Sequence, residues 1–347
     1  MKRLSIGFFV LLFSVVFWRF VFGQAAYHVH PVLDCPINVG QSVVYCGSFQ
    51  LAWNQLMDLW VEPIDSPETR LDDQLNAREF DEFDVNPNCV SAFGGRNTVE
   101  NRLRYTAKTA ARFPSSEALL LPSGDHDNIE ELIAVAYLEK SLVFPVAFER
   151  IEMGMDWVDS KGKSKRVEAF GIDDFVPVSP EHQELMKQIE VIDYRSYENF
   201  VVRLKTTSES DELVLAKIPR PSTLKNAFLD VSQRVRDCKE PLTMDLHDEL
   251  KIPKVYLDVK EDFFDKQFRK KFQVKEAVQL IRFSLDERGA TLQSESRIQV
   301  LCIGESKHLH FNRPFLIYLK EKSSDVPYFA MWIDSDEFFK PNDTPSS

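Results

Sequence analysis

Phe311-Asn312-Arg313-Pro314-Phe315-Leu316-Ile317-Tyr318-Leu319, followed by Pro327-Tyr328-Phe329-Ala330-Met331-Trp332, is the stretch whose reading decides the fold. Two runs rich in aromatic and branched apolar residues flank a polar turn at residues 322–325, the signature of a β-hairpin. Outward from it, residues 166–171, 190–193, 200–206, 213–218, 254–259, 278–285 and 297–303 read as further short strands. Two helical stretches interrupt them, at residues 222–235 and 262–272. The first half reads differently. Phe49, Ala52, Trp53, Leu56 and Trp60 have the spacing of an amphipathic helix over residues 49–60, with Ser48 as its cap. Ser66-Pro67 opens a shorter helix through Leu71 and Leu75, because serine caps and proline suits the first helical position. Asn97-Thr98-Val99-Glu100 has the form of a capping box with asparagine as cap and starts a helix toward Phe113. Residues 76–95 hold neither period and read as acidic loop. Asp127-Asn128-Ile129-Glu130 opens another segment, and helix and strand signals compete over residues 132–148. Helices early and strands late predict an α+β fold, with N-terminal helices packed on large, mostly antiparallel β-sheets in a single domain.

A chain of 347 residues, 44% hydrophobic and 28% charged, can bury a large core, which excludes disorder, collagen and a small disulfide scaffold. The formal net charge of −12, from 42 Lys and Arg against 54 Asp and Glu, argues against nucleic acid as a partner. Glycine numbers only 12 against 27 phenylalanines, so the core is aromatic-rich and phosphate-cradling loops are scarce. There is no GxGxxG or Walker-type glycine motif, and no cofactor is expected.

Met1-Lys2-Arg3 precedes an apolar run that Arg19 interrupts after fifteen residues, short for a membrane span and suited to the core of a signal peptide. Cleavage near Gly23 or Ala25 is predicted, giving a signal at residues 1–23, a domain at 27–340 and a disordered tail at 341–347. An uncleaved anchor extended through Phe22 is the alternative. The mature chain is then expected to be a soluble monomer, secreted or periplasmic, with no membrane partner. Of the five cysteines, Cys35, Cys46, Cys89, Cys238 and Cys302, the first two are the expected disulfide in such a compartment, and Cys302 the unpaired one. The alternative is that all are buried thiols.

Several of these segments resemble serpins, in family order. The hairpin quoted above is similar to the family's closing pair of strands. Val278-Gln279-Leu280-Ile281-Arg282-Phe283-Ser284-Leu285-Asp286-Glu287-Arg288-Gly289-Ala290 looks like the serpin strand and hinge, where an acidic residue and a glycine precede the reactive loop. Leu250-Lys251-Ile252-Pro253-Lys254-Val255-Tyr256-Leu257 is similar to the family's L-P-K-F strand. Residues 201–219, ending Leu215-Ala216-Lys217-Ile218-Pro219, resemble its paired strands ending in a hydrophobic-Pro turn, and residues 136–148 its long central-sheet strand. Together they cover residues 133–339. In the N-terminal quarter only the helix at 49–60 matches, and the family's second helix has no counterpart.

The resemblance implies an extracellular protein that is not an enzyme. Inhibitory serpins work by strain: a protease cleaves an exposed loop, which inserts as a new strand in the central sheet. The corresponding hinge and loop here hold Glu287, Gly289, Ala290, Arg297 and Lys307, the last two being the basic candidates for a bait bond. Only 21 residues separate Gly289 from Phe311, fewer than inhibitory members use. Leu292, Gln293 and Glu295 stand where inhibitors carry alanine-like residues, and an unpaired glutamate entering a sheet is strongly penalised by desolvation. The expected function is therefore a non-inhibitory binding or structural module, with inhibition through an abbreviated loop as the alternative. The expected partner is a protease or another extracellular protein. Residues 278–285 are expected to pair with the segment reaching Ile303, leaving no loop to fire.

Other chemistry is weaker. Ser306 lies near His308 but lacks the second glycine of a nucleophile elbow, so a hydrolase is the third reading. His28-Val29-His30 and His308-Leu309-His310 each put two imidazoles on one face of a strand, a geometry zinc can use. Two ligands do not make a site, and no metal is assigned. Asp73, Asp81, Glu82 and Asp84 lack a calcium-loop spacing. Lys161-Gly162-Lys163-Ser164-Lys165-Arg166 reads as a solvated hairpin turn or a polyanion patch.

Overall fold

The computed structural model describes residues 26–59, 70–113, 128–173, 180–245, 247–263, 278–288 and 307–342. In chain order the strands are β1 (Tyr27–His30), β2 (Ser42–Cys46), β3 (Val90–Asn97), β4 (Asn128–Leu138), β5 (Glu149–Val158), β6 (Ser164–Ile172), β7 (Ile189–Ser196), β8 (Asn199–Leu204), β9 (Asp211–Lys217), β10 (Glu249–Pro253), β11 (Val255–Asp262), β12 (Val278–Leu285), β13 (His308–His310), β14 (Phe315–Glu321) and β15 (Phe329–Ile333). The helices are α1 (Ser48–Leu59), α2 (Arg70–Asn76), α3 (Val99–Arg112), α4 (Pro180–Lys187) and α5 (Leu224–Asp237). Helices and mostly antiparallel sheets make this an α+β fold.

The hairpin β14–β15 lies inside a seven-stranded sheet of order β1-β2-β15-β14-β9-β8-β7, antiparallel except where β1 runs beside β2. Leu316, Tyr318, Ala330 and Trp332 face one core, and Phe315, Ile317, Phe329, Met331 and Ile333 face another. Burial on both faces is why these strands are apolar throughout rather than alternating. α5 covers the first core with Leu224, Ala227, Phe228 and Val231, an i, i+3, i+4, i+7 stripe, and Phe228 meets Tyr318 edge-on with ring centroids 5.0 Å apart. Thr223 caps this helix by accepting the backbone N–H of Asn226, an interaction worth about 1 kcal/mol.

The second core also takes Phe170, Ile172, Leu250, Ile252 and Leu309 from a four-stranded sheet of order β13-β10-β6-β5. Two ribbons, β3–β4 and β11–β12, complete the sheet content of the described residues. Residues 278–285 pair with β11 in full register, while the expected partner at 297–303 lies outside the described residues.

Several expectations change. Residues 76–95 end in strand β3, hidden from a propensity reading by Gly94-Gly95. A Cβ on Gly94 would lie 2.8 Å from the backbone oxygen of Gln55, so the missing side chain is what lets α1 cross the strand. Residues 128–138 resolve as strand, because β3 pairs with Leu132 to Leu138 in unbroken register and, past a register shift, with Asn128. The cap of α3 is Thr98, whose hydroxyl accepts from Asn101, whereas Asn97 accepts from the buried Arg102. Ser48 lies inside α1, and Asp262 ends β11 rather than opening a helix. Pro341 bridges Val167 and the Asn342 amide donates to the Glu152 carbonyl, so the first two residues of the expected tail are docked.

The bridge expected between Cys35 and Cys46 is absent: both are free, buried thiols. Cys35 belongs to the core under α5 and Cys46 to the core beyond the sheet, so the sheet separates them. Burial pushes the Cys35 thiol up to about 12. The basic run at residues 161–166 spans the end of the turn between β5 and β6 and the start of β6, where Lys163 and Lys165 pair with Asp336 at 3.0 and 3.3 Å. The apolar run of residues 4–18 lies outside the described residues, among which no helix is long and apolar enough to cross a membrane.

Candidate functional site

β10 is five residues long and runs between β6 and β13. Gly171 on β6 has φ +149°, and a Cβ there would meet the Leu250 oxygen at 1.8 Å, so glycine is required for β10 to lie this close. β13 pairs with β10 in parallel, with Glu249 beside His308, Leu250 beside Leu309 and Lys251 beside His310. Because side chains alternate along a strand, Leu250 and Leu309 enter the core while Glu249, Lys251, His308 and His310 share the opposite face. One Glu249 oxygen, Oε2, is approached by His310 Nε2 at 2.5 Å, His308 Nδ1 at 3.3 Å and Lys251 Nζ at 3.5 Å. The Glu249 side chain is only 8% exposed. Burial raises its pKa, but the charges of Lys251 and His310 and the imidazole hydrogen bonds outweigh this, and the carboxyl sits below its ordinary value. His310 is lowered, chiefly by burial.

The polar patch continues into the seven-stranded sheet. His310 meets Tyr197 edge-on at 5.9 Å, and the face of Tyr197 carries the ammonium of Lys217 at 4.0 Å. Lys217 is 1% exposed, and its ammonium donates to Asn312 Oδ1 at 2.8 Å and to the His310 carbonyl at 3.2 Å, with Glu198 paired at 3.0 Å. Burial lowers its pKa. The Asn312 amide donates to the Tyr197 hydroxyl at 2.7 Å.

The described residues flanking positions 289–306 are anchored beside the two ends of β10. Past the end of β12, Glu287 pairs with Lys254 at 2.8 Å, and its carbonyl accepts the Phe148 N–H at 2.7 Å. Burial raises Glu287, but Lys254 more than offsets it and the net shift is downward. On the return, Lys307 donates its backbone N–H to Asp248 at 2.6 Å and its ammonium to Asp248 and Asp245 at 3.0 and 3.3 Å. Asp248 is fully buried.

Of the residues singled out in the sequence, Glu287 and Lys307 are thus the two stem anchors, while Gly289, Ala290 and Arg297 lie outside the described residues, as does Ser306. Sequence reasoning missed Asp248, Glu249, Lys217 and Tyr197. Glu249 lies 59 residues from His308 along the chain, so only strand pairing reveals the contact. His30 donates from Nδ1 to the Val32 carbonyl at 3.1 Å and packs on His28 with ring centroids 5.6 Å apart.

No protein-family model matches the chain, and no curated protein matches its sequence. Among solved structures, a thyroxine-binding globulin complex with thyroxine is similar over 68% of this chain and 64% of that one, at 10% identity and a TM-score of 0.44. Human thyroxine-binding globulin complexed with thyroxine is similar over 69% and 66%, at 10% identity and a TM-score of 0.43. The chain spans slightly under two thirds of the length of these structures.

Proposed function

We propose that this chain is an exported, serpin-like protein that binds or scaffolds a partner outside the cell and does not trap proteases by loop insertion. The observation that carries this reading is the pair of Glu287 with Lys254, whose side chains are 15% and 6% exposed. Loop insertion requires the hinge to leave its stem and travel into a sheet. Here that motion breaks a buried ion pair and leaves Lys254 with only the longer contact to Glu168 at 3.7 Å, which opposes it. The bulky or charged Leu292, Gln293 and Glu295 beyond the hinge add to that barrier. Support for the serpin-like part comes from the segments at 201–219 and 311–332, whose strands β8, β9, β14 and β15 are consecutive neighbours in one sheet.

The alternative, an inhibitor with an abbreviated loop, draws on one observation: among the described residues β4 and β12 each pair with a single strand, leaving an edge free to take another. Incubation with a panel of serine and cysteine proteases separates the two readings. Simple cleavage or resistance is expected; a complex that survives a denaturing gel would overturn the proposal. So would a single cut between Gly289 and His310 that raised the melting temperature by tens of degrees.

A further inference from the structure

We propose that Glu249, His308 and His310 form a binding site for a zinc-class divalent cation, with two imidazoles and one carboxylate as ligands and a fourth position left to water. The proposal does not depend on the serpin-like reading. One ligand atom from each of the three residues lies within 4.8 Å of the other two. Their placement is set by the backbone register of two adjacent strands rather than by independent loops, so little ordering is needed on binding. A zinc ion with nitrogen and oxygen ligands at about 2.0–2.2 Å needs those atoms roughly 3–3.5 Å apart. His308 Nδ1 and Glu249 Oε2 already meet that at 3.3 Å, and the 2.5 Å contact of His310 with the same oxygen opens by under about 1 Å as the ion replaces the shared proton.

The donor set selects the ion. Two imidazoles with one carboxylate suit zinc, whereas calcium and magnesium favour oxygen ligands alone. The buried Glu249 shares its cationic partner: Lys251, 3.5 Å away, is closer to Asp173 at 3.1 Å, which retains it when an ion takes the glutamate. His308, with its side chain 49% exposed, provides the entry path. Bound there, the ion ties β13, the return stem of residues 289–306, to β10.

Isothermal titration of the purified full chain with zinc chloride at neutral pH tests this. One zinc per chain is expected, with a raised melting temperature that magnesium and calcium do not reproduce. His308→Ala and Glu249→Gln should each weaken binding about tenfold or more, and His28→Ala should leave it unchanged. Cobalt in place of zinc should give a visible tetrahedral absorption that His308→Ala abolishes. Absence of zinc binding by the native chain overturns the proposal, as does His308→Ala binding within about twofold of native or an equal loss in His28→Ala. If Glu249→Gln unfolds, the exposed His308→Ala decides alone.

Discussion

Asp248 and Lys254 stand one residue outside either end of β10, and each holds one stem of the segment between residues 288 and 307: Asp248 receives Lys307 at 3.0 Å and Lys254 receives Glu287 at 2.8 Å. The described residues on either side of positions 289–306 are thereby fixed at the two ends of one strand, six residue steps or roughly 20 Å apart. Anchors of this kind oppose a hinge that must peel away from its stem.

The charge pair on the outgoing stem is predicted to be coupled. Lys254→Met leaves Glu287 without its buried cation and should destabilise the chain by about 3–5 kcal/mol. Combining it with Glu287→Leu should recover most of that loss, because two apolar groups need no compensation. Chemical denaturation of the two single variants and the double variant closes the cycle. A Lys254→Met chain within about 1 kcal/mol of native would show that the stem is not held by this pair.

The fold was largely legible because its strands carry their own signal. The run at 278–285 matches β12 residue for residue, and the helix at 222–235 is α5 shifted by two residues. What failed has a common physical cause: the deciding partner was distant in sequence. β3 is a strand because β4 lies beside it, and Gly94 is there because α1 crosses it. At the candidate site the two histidines were visible as a pair, yet Glu249 joins them only through parallel pairing. The expected cysteine pairing follows from compartment and closeness in sequence, which carry no information about which face of a sheet each thiol occupies.

A buried charge cluster links the first half of the chain to its C-terminal hairpin. Lys140 pairs with Asp211 at 2.8 Å and with Glu321, all three side chains under 8% exposed, while the Tyr328 hydroxyl donates to Asp211 at 3.1 Å. Lys140→Met leaves two carboxylates facing each other and should cost about 3–5 kcal/mol. Tyr328→Phe removes one hydrogen bond to a charged acceptor and should cost about 1.5–3 kcal/mol. Urea denaturation of both variants checks the order; a larger loss for Tyr328→Phe would reverse the assignment of the cluster's weight.

The four cysteines among the described residues should behave as free thiols with unequal access. Cys89 and Cys238 are half-buried, and Cys35 and Cys46 are fully buried. In the native protein Cys35 and Cys46 should resist a thiol reagent and react only on unfolding. Reducing agent should leave the melting temperature unchanged. Peptide mapping under non-reducing conditions that recovered a Cys35 to Cys46 cross-link would contradict this arrangement.

Stability should fall on mild acidification through His30. Burial is the largest influence on this imidazole and lowers its pKa to about 4, against the opposing pull of the Val32 carbonyl; the neighbouring His28 lowers it further and Asp34 raises it. The folded state therefore binds fewer protons than the unfolded chain between about pH 6.5 and 4, so stability is lost as pH falls through that window, by roughly 3 kcal/mol at most. His182 and His310 are lowered in the same direction, chiefly by burial, and add to the slope. Glu287, whose pKa is depressed, contributes in the opposite sense of charge but the same sense of pH, and only as pH falls below the ordinary glutamate range. Urea midpoints measured at pH 7 and pH 5 separate the imidazoles from Glu287, whose depressed carboxyl remains ionised at both. His30→Gln should flatten the difference between the two midpoints; an unchanged difference would place the acid-sensitive group elsewhere.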